Sequence, residues 1–276
     1  MGFCWDLDVP PSPFGLRRTS GIWDFRPALI ERHPMSSSAN RLSEAHVADL
    51  NVRFSASTPQ EILAWTLSTY GRRAALAWSG AEDVAVLDMM AKIDPKAVRV
   101  FTLDTGRLSP ETYEYIDTVR QKYRIEVEVL FPDAARVEAM VRAKGMNLFY
   151  VSPENRKECC GVRKVEPLRR ILATLDGWIT GLRRTQSVSR QGLNKIELDA
   201  DHGGIVKVNP LADWTTAQVF DYLKTNGVPL NPLHAKGYVS IGCAPCTRAV
   251  KPGEDERAGR WWWENSDQKE CGLHKS

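Results

Sequence analysis

From about Glu44 onward the chain alternates between helical and strand-like hydrophobic patterns. Pro59–Tyr70 reads as an amphipathic helix opening on Thr58-Pro59, a hydroxyl N-cap followed by proline at the first helical position. The short apolar run Ala74–Trp78 follows, then the turn Ser79-Gly80-Ala81-Glu82-Asp83 and an apolar helix through Met90. The pattern repeats: a strand Val98–Leu103, the turn Asp104-Thr105-Gly106, and a helix from about Ser109 to Tyr123. A strand Glu126–Leu130 and a helix Asp133–Ala143 come next, and Trp178–Gly181 and Ile205–Asn209 are further strands. Short strands separated by longer helices predict an α/β fold, an open and mostly parallel sheet with helices on both faces.

Both ends depart from this pattern. Residues 1–45, with PPSP and an SSSAN run, predict a flexible N-terminal extension, and Met35 is a candidate physiological start. Residues 46–247 form the predicted α/β domain. Residues 248–276 are rich in charge and Trp, turn at Pro252-Gly253 and lack a core pattern, so they read as a C-terminal loop or lid.

A length of 276 residues suits one sizeable α/β core or two small domains. The net charge of +3 is too mild to argue for a nucleic-acid groove. No apolar run approaches the roughly 18 residues a membrane span needs. The N-terminus shows no basic region followed by an apolar stretch, and Asp6 breaks a myristoylation pattern. The expectation is a cytoplasmic protein that engages neither membrane nor nucleic acid. In a reducing compartment, cysteines serve metals or catalysis more often than disulfides.

That expectation gives weight to the cysteine layout: Cys159-Cys160, Cys243-x-x-Cys246, and Cys271 in the terminal ECGLHKS. Four thiolates suffice for an iron–sulfur cluster, and a fifth near an end can act as a nucleophile. The adjacent pair is predicted near the start of a helix running into Val162–Glu166. Neighbouring side chains on a regular helix point about 100° apart, so joint ligation demands local distortion. Zinc is the other metal open to this set, although structural zinc sites favour C-x₂₋₄-C in both halves. Cys4 reads as a free thiol in a loose segment.

Ser79-Gly80, between a strand and a helix, offers amides and a hydroxyl to an anion. It is neither a P-loop nor a dinucleotide fingerprint, and alone it reads as an ordinary tight turn. Leu103–Arg107 ends the next strand, and in open α/β sheets two such turns converge on a ligand crevice.

SGAEDV, LDTGRLSPETY, ECCGVRKVEPL, GCAPCTR and KECGLH together resemble the assimilatory adenylylsulfate reductases. These belong to the adenine-nucleotide α-hydrolase-like (PP-loop) superfamily. The resemblance runs from about Glu44 to the C-terminus, with five motifs in the family's order. It implies reduction of adenosine 5′-phosphosulfate to sulfite and AMP, with electrons from thioredoxin, in sulfate assimilation and cysteine biosynthesis. It also implies a homo-oligomer and a [4Fe–4S] cluster held by Cys159, Cys160, Cys243 and Cys246. Lys164 would lie between cluster and substrate. Arg190, Arg257 and Arg260 would line the phosphosulfate end, where guanidinium forks match sulfate and phosphate oxygens. Arg183 and Arg184 are further cationic candidates. Ser79, Gly80, Leu103, Thr105 and Gly181 would border the nucleotide.

Cys271 would attack the sulfur, expel AMP and carry an S-sulfocysteine that thioredoxin cleaves. His274 and the substrate-site arginines would favour its thiolate. The cluster would tune the site electrostatically without transferring electrons, and Trp261–Trp263 would dock the tail.

Several positions depart from related patterns. ATP-cleaving relatives carry SGGxDS, and Ala81, Glu82 and Val84 argue here for a sulfonucleotide instead. Ala77 stands where family members often have serine, and Glu82 would repel a second anion. Three alternatives remain open: a 3′-phosphoadenylylsulfate reductase, whose members generally lack the four cysteines; an iron–sulfur tRNA-thiolation enzyme; and a zinc-stabilised nucleotide-binding protein without turnover.

Overall fold

The computed structural model describes residues 42–186 and 190–264. Six strands form one sheet in the order β3-β2-β1-β4-β6-β5. They are β1 (Ala74–Ala77), β2 (Val100–Leu103), β3 (Val127–Leu130), β4 (Gly177–Ile179), β5 (Ile196–Asp199) and β6 (Ile205–Val208). All neighbouring pairs are parallel except β5 with β6, where Ile196 faces Val208 in an antiparallel edge.

Side-chain alternation assigns the two faces of the sheet. Ala74, Leu76, Val100 and Ile179 turn to one buried layer; Ala75, Phe101 and Trp178 turn to the other. The first layer is covered by α2 (Pro59–Tyr70), α3 (Ala81–Ile93), α4 (Pro110–Tyr123) and α8 (Thr216–Thr225), with Ile62, Val84, Val119 and Leu223 all buried in it. The second is covered by α7 (Glu166–Leu172) through Leu168, Ile171 and Leu172. The predicted two-faced, mostly parallel sheet is thus present. No helix among the described residues is long and apolar enough to cross a membrane.

The helix starts follow local chemistry. Thr58 caps α2 in a reciprocal box with Glu61, as Thr215 does with Gln218 at α8. Asp133 caps α5 (Ala134–Lys144), and Ser43 caps α1 (Glu44–Arg53).

One sequence expectation needs correction. Cys159 and Cys160 do not open a helix; they end α6 (Pro153–Cys160), which Ser152 caps. Beyond them Gly161–Val165 form a π-helical turn that runs into α7. A π-turn inserts an extra residue into the helical ladder. Distortion of the kind joint ligation demands therefore lies directly beside the cysteine pair.

Candidate functional site

The chain order reverses between β1 and β4: β2 and β3 lie on one side, β6 and β5 on the other. Such a switch point opens a crevice beyond the carboxyl ends of the strands. A cavity of about 230 Å³ fills it, bordered by Ser79, Gly80, Leu103, Thr105, Lys164, Gly181, Arg190, Arg257 and Arg260. All nine residues singled out in the sequence as substrate contacts are therefore gathered around one space. Arg183 borders it too. Arg184 turns instead to Asp213 and to the Leu193 carbonyl.

The turn after β1 is organised by a residue that the sequence reading missed. Asp83 Oδ2 accepts the Ser79 and Gly80 amides at 2.8 and 2.9 Å, and Oδ1 accepts the Gly181 amide at 2.9 Å. The amides read as anion donors thus hold an internal carboxylate, which ties the β1 turn to the β4 turn. Burial and the Glu82 charge push Asp83 up to about 6, against the pull of the three amides.

Because this folded value exceeds the ordinary 3.8, the folded chain binds the proton more tightly than the unfolded one. The stability gained is complete at low pH and lost as pH rises through 6. Relative to Asp83→Asn, wild-type stability is expected to fall by about 2 kcal/mol between about pH 4.5 and 7.5. Denaturant titrations across that range check this; a constant difference would refute it.

Glu82 accepts Arg183 Nη2 and Gln186 Nε2, both at 2.9 Å. Arg183 is 1% exposed, and it also donates to Thr185 and Thr216, with Glu256 at 3.8 Å. Its charge is balanced by carboxylates within the protein, unlike that of an arginine devoted to a ligand.

The four clustered cysteines are buried free thiols around a second, smaller void of about 20 Å³. Arg107, Arg156, Arg163 and Lys164 line the same void. Lys164 and Cys243 border both cavities, so the two spaces share a wall. Thr105 contacts Cys243 Sγ at 3.2 Å, and its carbonyl accepts Arg163 Nη1 at 2.7 Å.

Burial pushes the Cys246 thiol up to about 12, helped by the neighbouring Cys243 charge. Burial also raises Cys159, although Arg163 opposes it. At Cys243 burial acts in the same direction, but Lys164, Thr105, Arg260 and Arg163 together outweigh it and hold the thiol below its usual range.

Two observations bear on what this site can hold. Arg163 Nε and Trp261 Nε1 are buried N–H groups with no hydrogen-bond partner among the described residues, and both residues line the void. Buried orphan donors cost about 1–3 kcal/mol each, so a group rich in acceptors fits between them. Among the described residues, no three His, Cys, Asp or Glu side chains are placed to hold one metal ion. A tetrahedral zinc site needs its sulfurs about 2.3 Å from a single centre. A polynuclear cluster offers each thiolate its own iron, so the thiolates need not converge on one point.

The start of the tail, a loop, packs on the cysteine site through its tryptophans. Trp261 is 1% exposed and packs with Met140, Leu148, Phe149 and the four cysteines. Trp263 packs against Tyr150 with ring centroids 4.5 Å apart, and Trp262 is half exposed. Arg156 pairs with Glu264, a contact the sequence reading also missed. The spacing of Arg156 four residues before Cys160 on one helix was its available signal. Cys271, His274 and Cys4 lie outside the described residues.

Residues 73–249 match the phosphoadenosine phosphosulfate reductase domain. The chain is 49% identical over 235 residues to the chloroplastic 5′-adenylylsulfate reductase 3 of Arabidopsis thaliana, covering 82% of this chain and 51% of that protein. It spans about half the length of the Arabidopsis and rice relatives it matches. It is 57% identical over 177 residues to the adenosine 5′-phosphosulfate reductase of Burkholderia cepacia, covering 64% of this chain and 70% of that protein. With the same-named protein of Pseudomonas aeruginosa strain LESB58 it shares 46% over 222 residues, or 79% and 82% of the two chains.

Among solved structures, phosphoadenylyl-sulfate reductase from Candida auris, in its phosphate complex, superposes with a TM-score of 0.65 at 30% identity, covering 76% of this chain and 98% of that one. An FMN adenylyltransferase from Candida glabrata shares the fold alone, with a TM-score of 0.50 at 13% identity over 78% and 72% of the chains. The five motifs, the switch-point cavity and these likenesses agree, and the chain belongs to the phosphoadenosine phosphosulfate reductase domain family.

Proposed function

We propose that this chain reduces adenosine 5′-phosphosulfate to sulfite and AMP, with Cys271 as the nucleophile and thioredoxin as the electron donor. The observation that carries this reading is the shared wall. A switch-point cavity with Lys164, Arg190, Arg257 and Arg260 on its rim meets a four-thiol site through Lys164 and Cys243. The relatives' names supply the substrate and the reaction class.

The cations hold the phosphosulfate, and the turns after β1, β2 and β4 border the nucleoside. The Cys271 thiolate attacks the sulfur of the sulfuryl group. The S–O bond to phosphate breaks and AMP leaves with that electron pair, giving an S-sulfocysteine. A thioredoxin thiolate then attacks Cys271 Sγ and expels sulfite; its second thiol resolves the mixed disulfide and returns Cys271 to the thiol.

Cys159, Cys160, Cys243 and Cys246 would hold a [4Fe–4S] cluster, which supplies fixed negative charge beside Lys164 and the arginines. The setting is a cytoplasmic homo-oligomer in sulfate assimilation and cysteine biosynthesis. The four clustered cysteines favour this reading over a 3′-phosphoadenylylsulfate reductase.

Intact mass of anaerobically purified protein mixed with adenosine 5′-phosphosulfate, without thioredoxin, tests the reading. One SO₃ unit on Cys271, released as sulfite by thioredoxin and missing in Cys271→Ser, is the expected result. An adduct only with the 3′-phosphorylated nucleotide would reassign the substrate. No adduct with either nucleotide would overturn the mechanism. Zinc without iron or sulfide would overturn the cluster assignment.

A further inference from the structure

The segment leading to the C-terminal tail is fastened to the four-cysteine site by contacts that the proposed chemistry does not use. The Glu264 side chain, 3% exposed, accepts two hydrogen bonds from the wholly buried Arg156, Nε to Oε1 at 3.0 Å and Nη2 to Oε2 at 2.8 Å. The Arg156 guanidinium also lies 4.6 Å from the centroid of the Trp261 ring and reaches the Cys160 thiol. Arg156 is itself a wall of the void that the four thiols share. Two backbone contacts reinforce the attachment: the Trp261 amide donates to the Cys246 carbonyl at 3.2 Å, and the Arg248 amide to the Gly259 carbonyl at 2.9 Å.

A buried ion pair is a weak source of stability, because desolvation offsets much of the attraction and apolar replacements often do as well. What a bidentate guanidinium–carboxylate pair supplies is geometry, since two parallel bonds fix both distance and orientation. Position matters here because Glu264 stands seven residues before Cys271. Seven residues span at most about 25 Å, so the point where Glu264 is pinned bounds where the thiol can go.

We infer that Arg156 and Glu264 form a positioning latch that pins the root of the tail to the four-cysteine site and so sets the reach of Cys271 into the substrate cavity. The inference rests on Cys271 being the sulfur acceptor, as proposed above. Arg156 thus joins the root of the tail to the wall of the four-cysteine void. Disturbing either partner loosens the tail without changing a residue that borders the substrate cavity.

The test uses full-length, anaerobically purified protein with Glu264→Gln and Glu264→Asp. Four quantities are read: iron content, AMP affinity, amide hydrogen exchange over residues 262–264, and the single-turnover rate of adduct formation on Cys271. In Glu264→Gln, iron content and AMP affinity are expected to match wild type, while exchange over 262–264 accelerates about tenfold or more. Adduct formation is expected to slow by about tenfold or more, as misplacement of a reacting group does. Glu264→Asp, which keeps the charge, is expected to recover part of both losses.

Wild-type exchange in Glu264→Gln would overturn the latch. So would loss of iron or AMP affinity in step with the rate in both variants, which would assign the pair to fold maintenance. If wild type forms no adduct, the role given to Cys271 fails, and the exchange arm still decides whether the pair pins the tail.

Discussion

Gly181→Ala is expected to weaken AMP binding about 100-fold or more and to lower stability by about 3 kcal/mol or more. The reason is space at the junction of two turns. A Cβ on Gly181 would sit 2.6 Å from Asp83 Oδ1, 2.6 Å from Glu82 Cβ and 2.9 Å from the Asp83 amide. Two of those three atoms belong to the backbone or the base of a side chain in the first turn of α3, so they cannot swing aside. Relief requires the β4 turn to part from α3, which breaks the 2.9 Å bond from the Gly181 amide to Asp83.

Once that bond goes, Asp83 is a buried carboxylate with one of its three amide donors missing. The two walls of the crevice lose their common tie, and both border the cavity proposed to take the nucleotide. Titration calorimetry with AMP and a denaturant melt measure the two effects. Gly192→Ala is the control, because nothing lies within 4 Å of its added Cβ. Wild-type AMP affinity in Gly181→Ala would remove this junction from the binding site.

The legible parts of the molecule were those coded within a few residues. The strands β1 to β3 and helices α2 to α4 are announced by short apolar runs, by Thr58-Pro59 and by Ser109-Pro110. β5 escaped because an antiparallel edge strand need bury little: only Ile196 of its four residues is buried. α8 buries just Val219 and Leu223, and its clearest signal was the capping pair Thr215 and Gln218. The cysteine pair was misplaced within its helix because the start signal, Ser152-Pro153, lies upstream of the motif that drew attention.

At the site, the residues singled out in the sequence line one cavity, but what organises them was not legible. Asp83 at the third helical position is locally readable as a cap for Gly80. Its bond to Gly181, 98 positions away, is not. Tertiary pairing of this kind leaves no periodic trace. The same holds for Arg156 with Glu264, separated by 108 positions, which ties the end of the described tail to the packed cysteine site.

Trp261→Ala is expected to cost about 3–5 kcal/mol, the range for emptying a large buried aromatic site. For a chain of this size that corresponds to a melting temperature lower by about 10 °C. Two features of the residue bear on that cost. Its ring centroid lies 4.6 and 4.8 Å from the guanidinium groups of Arg156 and Arg260, so truncation strips both cations of their aromatic partner. Its backbone sits at φ 41°, a left-handed conformation whose strain of about 1–2 kcal/mol alanine would share, so that strain cancels and the lost packing sets the difference.

Because Trp261 borders both cavities, the empty space opens onto the thiols and the cations of the larger cavity together. Iron content is therefore expected to fall along with stability. Trp261→Phe separates the two contributions: most of the packing stays, but the indole N–H, buried and unpartnered among the described residues, is removed. If that N–H donates to an acceptor in the four-cysteine site, Trp261→Phe keeps its melting temperature and shifts the visible absorption of the iron-loaded protein. A Trp261→Ala protein with wild-type iron content and melting temperature would sink both arguments, since a side chain so placed can be dispensable only if the 257–264 segment does not support the cysteine site.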